Sequence, residues 1–316
     1  MKKNSILRRK RCPVCKDSRL STARHAGRSL WRCCASCHTW IYCPSPNIPA
    51  YPAEYYGGPA AKFTGWAQAL RARFHRGRAR LVHRWLRQKK GRVYDVGCGD
   101  GLFLQEAAQL GLSTVGFEPE PIPRNQAETR LGKRLDSSLF QSLRSSKAAA
   151  ISCWQVIEHL ADPRAFLHSC HQHLMPDGIL ALSTINLGSY QARLFGKNWL
   201  HLDPPRHLWV SDLNTVVRII ESSGFRVLQI RHNSLEFGPV GWADSCFNLF
   251  DSKRDRLLHC LKLGCHEPKD WLVWGLTVIL TPLSMLLSMT ESLLNHPATF
   301  EIYARADKKR ARRHGG

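Results

Sequence analysis

Short apolar runs alternate with helical patterns through the middle of the chain, the order expected of an α/β fold. Val93, Tyr94 and Val96 read as a buried strand. Gly97, Gly99 and Gly101 break it into a tight turn, and Leu102-Phe103-Leu104 opens a helix. Val115-Gly116-Phe117-Glu118 is a second strand closing on an acid. Asn125 to Leu131 reads as a helix, Lys133 to Leu139 as a polar third strand and Ala148 to Trp154 as an apolar fourth. Asp162-Pro163 starts a helix that runs to Leu174, with proline at its favoured first position. Pro176-Asp177-Gly178 turns into a fifth strand, Ile179 to Ile185. Ser211 caps a helix through Ser222, Gly224 ends it, Phe225 to Arg231 is a sixth strand and Thr299 to Ala304 a last one.

Two flanking patterns stand outside this alternation. Thr64 to Gln88 is a helix with Trp66, Leu70, Phe74, Leu81 and Trp85 on one stripe, and Arg71, Arg73, Arg76, Arg78, Arg80, Arg84 and Arg87 largely elsewhere. From Trp271 to Thr290 there is no charged residue, which is long enough to span a bilayer. A single crossing would strand the last strand on the wrong side of the membrane. A re-entrant or interfacial helical hairpin pairing Phe237–Phe250 with 271–290, bent at Pro282, keeps both strands on one side. A buried helix or substrate lid is the plainer reading of the same run.

Charge and cysteine content add chemistry to this outline. The 316 residues carry a formal charge of +22, which points to an anionic partner, either nucleic acid or an acidic membrane surface. The start lacks the apolar run of a secretory signal, so the cysteines read as thiols or metal ligands and the expected location is cytoplasmic, at the inner face of a membrane. Cys12-Pro-Val-Cys15 and Cys34-Ala-Ser-Cys37 are two C-x2-C knuckles, the pattern of a four-sulfur structural zinc site. Cys33 is an alternative to Cys34, and Cys43 reads as a bystander. The segment is too short for its own core, so the metal would supply its folding energy.

The glycine turn, with free N–H groups at a helix mouth and an acid about 20 residues on, is a nucleotide-type site at the carboxyl edge of a sheet. A nicotinamide dehydrogenase shares that signature. Taken with Cys153-Trp-Gln-Val-Ile-Glu-His159, Asp162-Pro163, Leu174-Met-Pro-Asp-Gly178 and Asn186, the chain resembles the class I S-adenosylmethionine-dependent methyltransferases. It is most similar to the branch that includes ubiquinone-biosynthesis O-methyltransferases, and to bacterial homologues with an N-terminal zinc ribbon and a Trp…Asp-Pro-Pro-Arg-His segment, here Trp199 to His207. The Glu-His-Leu-x-Asp-Pro run and the late strand pair argue against the dehydrogenase.

The resemblance implies a Rossmann-like seven-stranded sheet, with a zinc ribbon over 1–50, a methyltransferase domain over 51–232, an apolar helical insertion over 233–296 and the last strand and basic tail over 297–316. By the same resemblance Asp95 and the turn Gly97, Cys98, Gly99, Gly101 hold the methionine end of S-adenosylmethionine, Glu118 takes the ribose hydroxyls, and Trp154 and Gln155 line the methionine and substrate side. The quinone O-methylases carry an acid pair and a histidine tied to a divalent metal. Gln155 replaces the first acid here, so no catalytic magnesium is expected. A hydroxyl acceptor also benefits from a base, for which His159 or His207, in the His201–Asp203–His207 cluster, is the candidate. The expected activity is methylation of a small or lipid-linked acceptor at oxygen. RNA methylation through the ribbon and the Arg-rich helix is one alternative, and a non-catalytic cofactor-binding scaffold is another.

Overall fold

The computed structural model describes residues 10–26, 29–43, 66–86, 91–138, 147–232, 235–251, 255–263 and 267–307. The basic stretches 1–9 and 308–316 and the Pro/Gly-rich connector 44–59 lie outside them, as does Arg87. Strands β4 (Arg92–Val96), β5 (Ser113–Phe117), β6 (Ala148–Trp154) and β7 (Leu174–Ile185) run parallel. β9 (Phe225–Arg231) and β10 (Thr299–Ala306) complete one six-stranded sheet in the order β5-β4-β6-β7-β10-β9, with β10 antiparallel to both neighbours. The expected α/β sheet is therefore present with its late antiparallel pair.

The period-2 alternation of β4 sends Tyr94 and Val96 to one core and Val93 to the other. Ala148 to Cys153 of β6 are all buried, as expected of a central strand covered on both faces. One face carries α4 (Pro163–His173) and α6 (Leu213–Ser222), through Phe166, Leu167, Val216, Ile219 and Ile220. The other carries α1 (Trp66–Leu86) and α2 (Leu102–Gln109), through Val82, Leu86, Phe103 and Leu104. Each large side chain so buried contributes about 1.5–3 kcal/mol.

The polar segment read as a third strand does not pair as one: among the described residues Asp136 makes a single parallel bridge to Phe117. Its run Lys133, Arg134, Asp136 and Ser138 offers too little apolar surface for a strand face. α3 (Pro121–Leu131) starts earlier than the pattern implied, with proline at its first turn. Asp212, not Ser211, caps α6, its Oδ1 accepting from Thr215 N at 2.7 Å. Ser211 instead bonds Thr39 across 2.6 Å.

That contact belongs to a second sheet. β1 (Arg24–Ala26), β2 (Ser29–Cys33) and β3 (Trp40–Cys43) form an antiparallel ribbon whose fourth strand, β8 (Trp209–Val210), comes from far along the chain. Lys16 Nζ reaches Asp162, the residue that caps α4, at 2.7 Å. Trp209 Nε1 donates to Leu160 O at 3.1 Å. The ribbon is thus joined to the α/β sheet through β8, Thr39 and Lys16.

α5 (Tyr190–Phe195) follows β7, and between β9 and β10 lie α7 (Gly238–Phe247), α8 (Arg256–Leu263) and α9 (Pro268–Leu293). α7 packs on α9, as the hairpin reading expected, and Pro282 lies inside α9. α8 was not foreseen. Arg256 starts it and ion-pairs Asp251, Glu267 and Asp270, tying the start of α8 to the start of α9.

Candidate active site

The turn after β4 is built for a ligand on one side only. Gly97 N and Cys98 N donate to Phe117 O at 2.8 and 3.1 Å, which ties the turn to the end of β5. Gly97 sits at φ +68°, and a Cβ there would meet Val156 Cγ2 at 2.7 Å. Gly101 at φ +78° packs on Ala127. Gly99, at φ +57°, has open space where a Cβ would project. The left-handed conformation explains all three glycines; the open side at Gly99 is what a ligand needs. Cys98 contributes only backbone, because its thiol turns into the core with Leu104.

Glu118 completes the cradle. Its Oε2 accepts from Gly99 N at 2.8 Å and its Oε1 from Glu120 N at 3.0 Å, so the carboxylate is fixed at the mouth of the turn. Burial raises its pKa despite those donors. Asp95, the next-to-last residue of β4, is 1% exposed and accepts from Ser152 Oγ at 2.6 Å. Its other oxygen has no partner among the described residues. Burial pushes its pKa up to about 7. An orphaned carboxylate oxygen beside an open glycine turn is the acceptor that an ammonium or hydroxyl of a nucleoside cofactor would satisfy.

Trp154 and Gln155 end β6 differently. The Trp154 ring lies between Phe103 and Tyr303, with the Arg78 guanidinium 5.0 Å over it, so it packs beneath α1. Gln155 takes φ +56°, rare for a side-chain residue, held by its N–H to Ser183 O at 3.0 Å. Arg78 corrects the expected cationic face of α1. It is 4% exposed and pairs Glu301 at 2.8 Å and Glu236. Arg71 and Arg76 likewise pair Asp100 and Glu106. Sequence periodicity missed these pairs because the acids lie 29 or more residues away.

His159 and His207 come together from separate loops, their ring centroids 4.8 Å apart. His159 Nδ1 donates to Arg206 O at 2.9 Å and His207 Nδ1 to His201 O at 2.7 Å. A carbonyl only accepts, so in the neutral rings the lone pair sits on Nε2. Burial lowers both pKa values, that of His159 to about 4. Glu158 lies beside them, fully buried, with Oε2 accepting from Thr184 Oγ1 at 2.9 Å and Oε1 unpartnered among the described residues. One donor atom from each of Glu158, His159 and His207 lies within 4.8 Å of the others, a set able to hold a cation or to serve as a base. Thr184 and Ser152 were not foreseen; the signal was a hydroxyl inside an otherwise apolar strand.

Cys12, Cys15, Cys34 and Cys37 bring their sulfurs within 4.8 Å of one another, with Cys12–Cys37 at 3.6 Å and Cys15–Cys34 at 3.4 Å. A tetrahedral zinc–thiolate site needs sulfurs roughly 3.8 Å apart, so the four fit that ion. Its hydrogen bond with Cys12 pulls the Cys37 thiol below its ordinary range. Cys33 turns away toward Cys34 O and Cys43 toward Ile41 O.

The comparisons fall on the same region. The Methyltransferase domain family matches residues 67–230. A ubiquinone biosynthesis O-methyltransferase of Cereibacter sphaeroides is 28% identical over 168 residues, covering 48% of this chain and 66% of the relative. One from Haemophilus ducreyi is 33% identical over 123 residues, covering 34% and 52%. The matches thus span less than two thirds of those relatives' lengths. The crystal structure of a putative sarcosine dimethylglycine methyltransferase from Galdieria sulphuraria aligns with a TM-score of 0.51 and 12% identity over 76% of this chain and 86% of that one, a likeness of fold. With the glycine turn, the clamped Glu118 and the family match all lying within one α/β sheet, the chain belongs to the methyltransferase domain family.

Proposed function

We propose that the protein transfers a methyl group from S-adenosylmethionine to an oxygen of a small or lipid-linked acceptor. The observation that carries this reading is the Gly99–Glu118 clamp at the ends of β4 and β5. It leaves an open backbone turn beside a fixed, buried carboxylate with lone pairs for two vicinal hydroxyls. Asp95 would take the methionine ammonium on its orphaned oxygen. When bound, the cofactor supplies an electrophilic methyl on a sulfonium. The residues present then have to align an acceptor hydroxyl with that methyl, exclude water and take the proton. His207 and His159 suit the proton transfer, because burial keeps both neutral near pH 7 with the lone pair on Nε2. Glu158 beside them stabilises an imidazolium once formed.

The four-thiol cluster would hold one structural zinc, leaving no position for an acceptor. Two features favour a small or lipid-linked acceptor over RNA. Arg71, Arg76 and Arg78 of α1 are paired with internal carboxylates, and α9 carries an exposed apolar face.

Calorimetry with S-adenosylmethionine and its demethylated product should give heat that Glu118→Ala abolishes. Labelled cofactor incubated with fractionated cell extract should deliver counts to the lipid or small-molecule pool. Counts in RNA would overturn the acceptor class. Binding without transfer to any fraction would leave a non-catalytic scaffold.

A further inference from the structure

α9 is built inside out. Its buried residues beyond the first two turns are Ser284, Ser288 and Glu291, while ten of its large apolar side chains are at least 41% exposed, among them Trp271, Ile279, Leu283, Leu286 and Leu293. A water-facing helix has the opposite pattern. Soluble monomers rarely expose contiguous apolar patches larger than a few hundred Å². Only 17% of the most apolar window of α9 is buried, so it is no core helix. Five of its six hydroxyls are closed off as well. Thr281 and Thr290, both exposed, donate to the carbonyls of Thr277 and Leu286 four residues back, as do Thr277, Ser288 and Ser292 to theirs. Hydroxyls satisfied within the helix suit a medium without water.

We propose that the outward face of α9 seats in the headgroup–acyl boundary of an anionic lipid bilayer, lying along it without crossing. Crossing is excluded by connectivity, because β9 and β10, on either side of the insertion, are hydrogen-bonded neighbours in one sheet. The C-terminal end of α9 is also fixed to the domain: Glu291 accepts from Gln191 N and Nε2 and from Trp242 Nε1 at 3.0–3.1 Å. The sign of the lipid follows from the charge of the chain, +22 over its 316 residues, which an anionic surface attracts. Within the insertion Lys269 is exposed in the first turn of α9. Trp271, 63% exposed, suits the headgroup level.

The position of this face bears on the acceptor, a point that rests on the methyltransferase reading. Gln191, bonded to Glu291, also reaches Trp199 Nε1. A Cβ on Gly241 of α7 would lie 2.8 Å from His201 Nε2, and His201 O holds the His207 ring. One helical layer, α7, thus stands between α9 and the histidine loop, so an acceptor held in the bilayer would approach that loop from the α7 side.

The test uses the full chain and vesicles of phosphatidylcholine alone or mixed with phosphatidylglycerol. Wild-type protein should float with the mixed vesicles, bind the neutral ones more weakly, and show quenched tryptophan emission with brominated acyl chains. Trp271→Phe should remove part of that quenching. Ile279→Asp/Leu283→Asp/Leu286→Asp, all on exposed positions, should lower partitioning by about a hundredfold or more with an unchanged unfolding midpoint. Failure of the wild-type protein to float with either vesicle overturns the proposal without recourse to any variant. So does flotation without quenching. A soluble dimer that these substitutions dissociate, with no vesicle binding, also overturns it and assigns the face to a second copy of the chain. Because no step reads methyl transfer or cofactor binding, this outcome is separable from that of the proposed activity.

Discussion

Arg78 of α1 donates from Nε to Glu301 of β10 at 2.8 Å, with both side chains buried. Glu236 takes the other end of the guanidinium, whose face lies over Trp154. One side chain thereby fastens the N-terminal helix to the last strand across the end of the sheet. Removing it takes the guanidinium from buried Glu236 and leaves Glu301 to Arg231 and Tyr303, so Arg78→Ala should cost toward the lower end of roughly 3–5 kcal/mol. Denaturant unfolding checks this. Arg78→Lys should recover only part of the loss, because an ammonium cannot bridge both acids with a planar fork.

The glycine turn should separate folding from binding. Gly97→Ala places a Cβ 2.7 Å from Val156 and is strained by its φ, so it should lower the unfolding midpoint. Gly99→Ala meets no protein atom, so its stability cost should stay near about 1 kcal/mol while affinity for the nucleoside falls steeply. Differential scanning fluorimetry and calorimetry on the two variants give the contrast.

Asp95 should trade stability for function. Its pKa is raised by burial to about 7, so the folded state holds a proton that the unfolded chain has released. That stabilisation is fully present below the ordinary carboxylate range and is lost as pH rises through about 7. Asp95→Asn should therefore raise the unfolding midpoint at pH 8 more than at pH 5. It should weaken S-adenosylmethionine binding at both. Melting curves at the two pH values and one titration decide it.

The thiol cluster should release one zinc per chain when its cysteines are modified, measured with a chromogenic chelator. Cys34→Ser should reduce retention of the ion and unfold the ribbon, since that sheet has little core of its own. Loss of amide protection at Trp209 and Val210 should follow, as β8 pairs only with β3 among the described strands.

Elements with strong local signals were legible in the sequence. The glycine turn, Asp162-Pro163 and the two knuckles announce themselves because φ, caps and ligand spacing are short-range constraints. The fate of α1's arginines was not, because Arg78 is decided by Glu236 and Glu301, far off in the chain. Cys98 fell within the motif, yet only its backbone faces the open side; the conformation of the turn, not spacing, sends the thiol inward. His159 and His207 were each singled out, but nothing local states that their rings meet. The edge strand failed for a different reason: a polar segment gains little from a sheet position that buries one side.

Trp209 and Val210 begin two residues after His207 and serve as the outer strand of the ribbon sheet. The histidine loop is therefore held between two modules. Trimming the chain back to α1 to make a minimal enzyme would cut one of those moorings, and a domain excised in that way should keep its nucleoside while losing its grip on the acceptor.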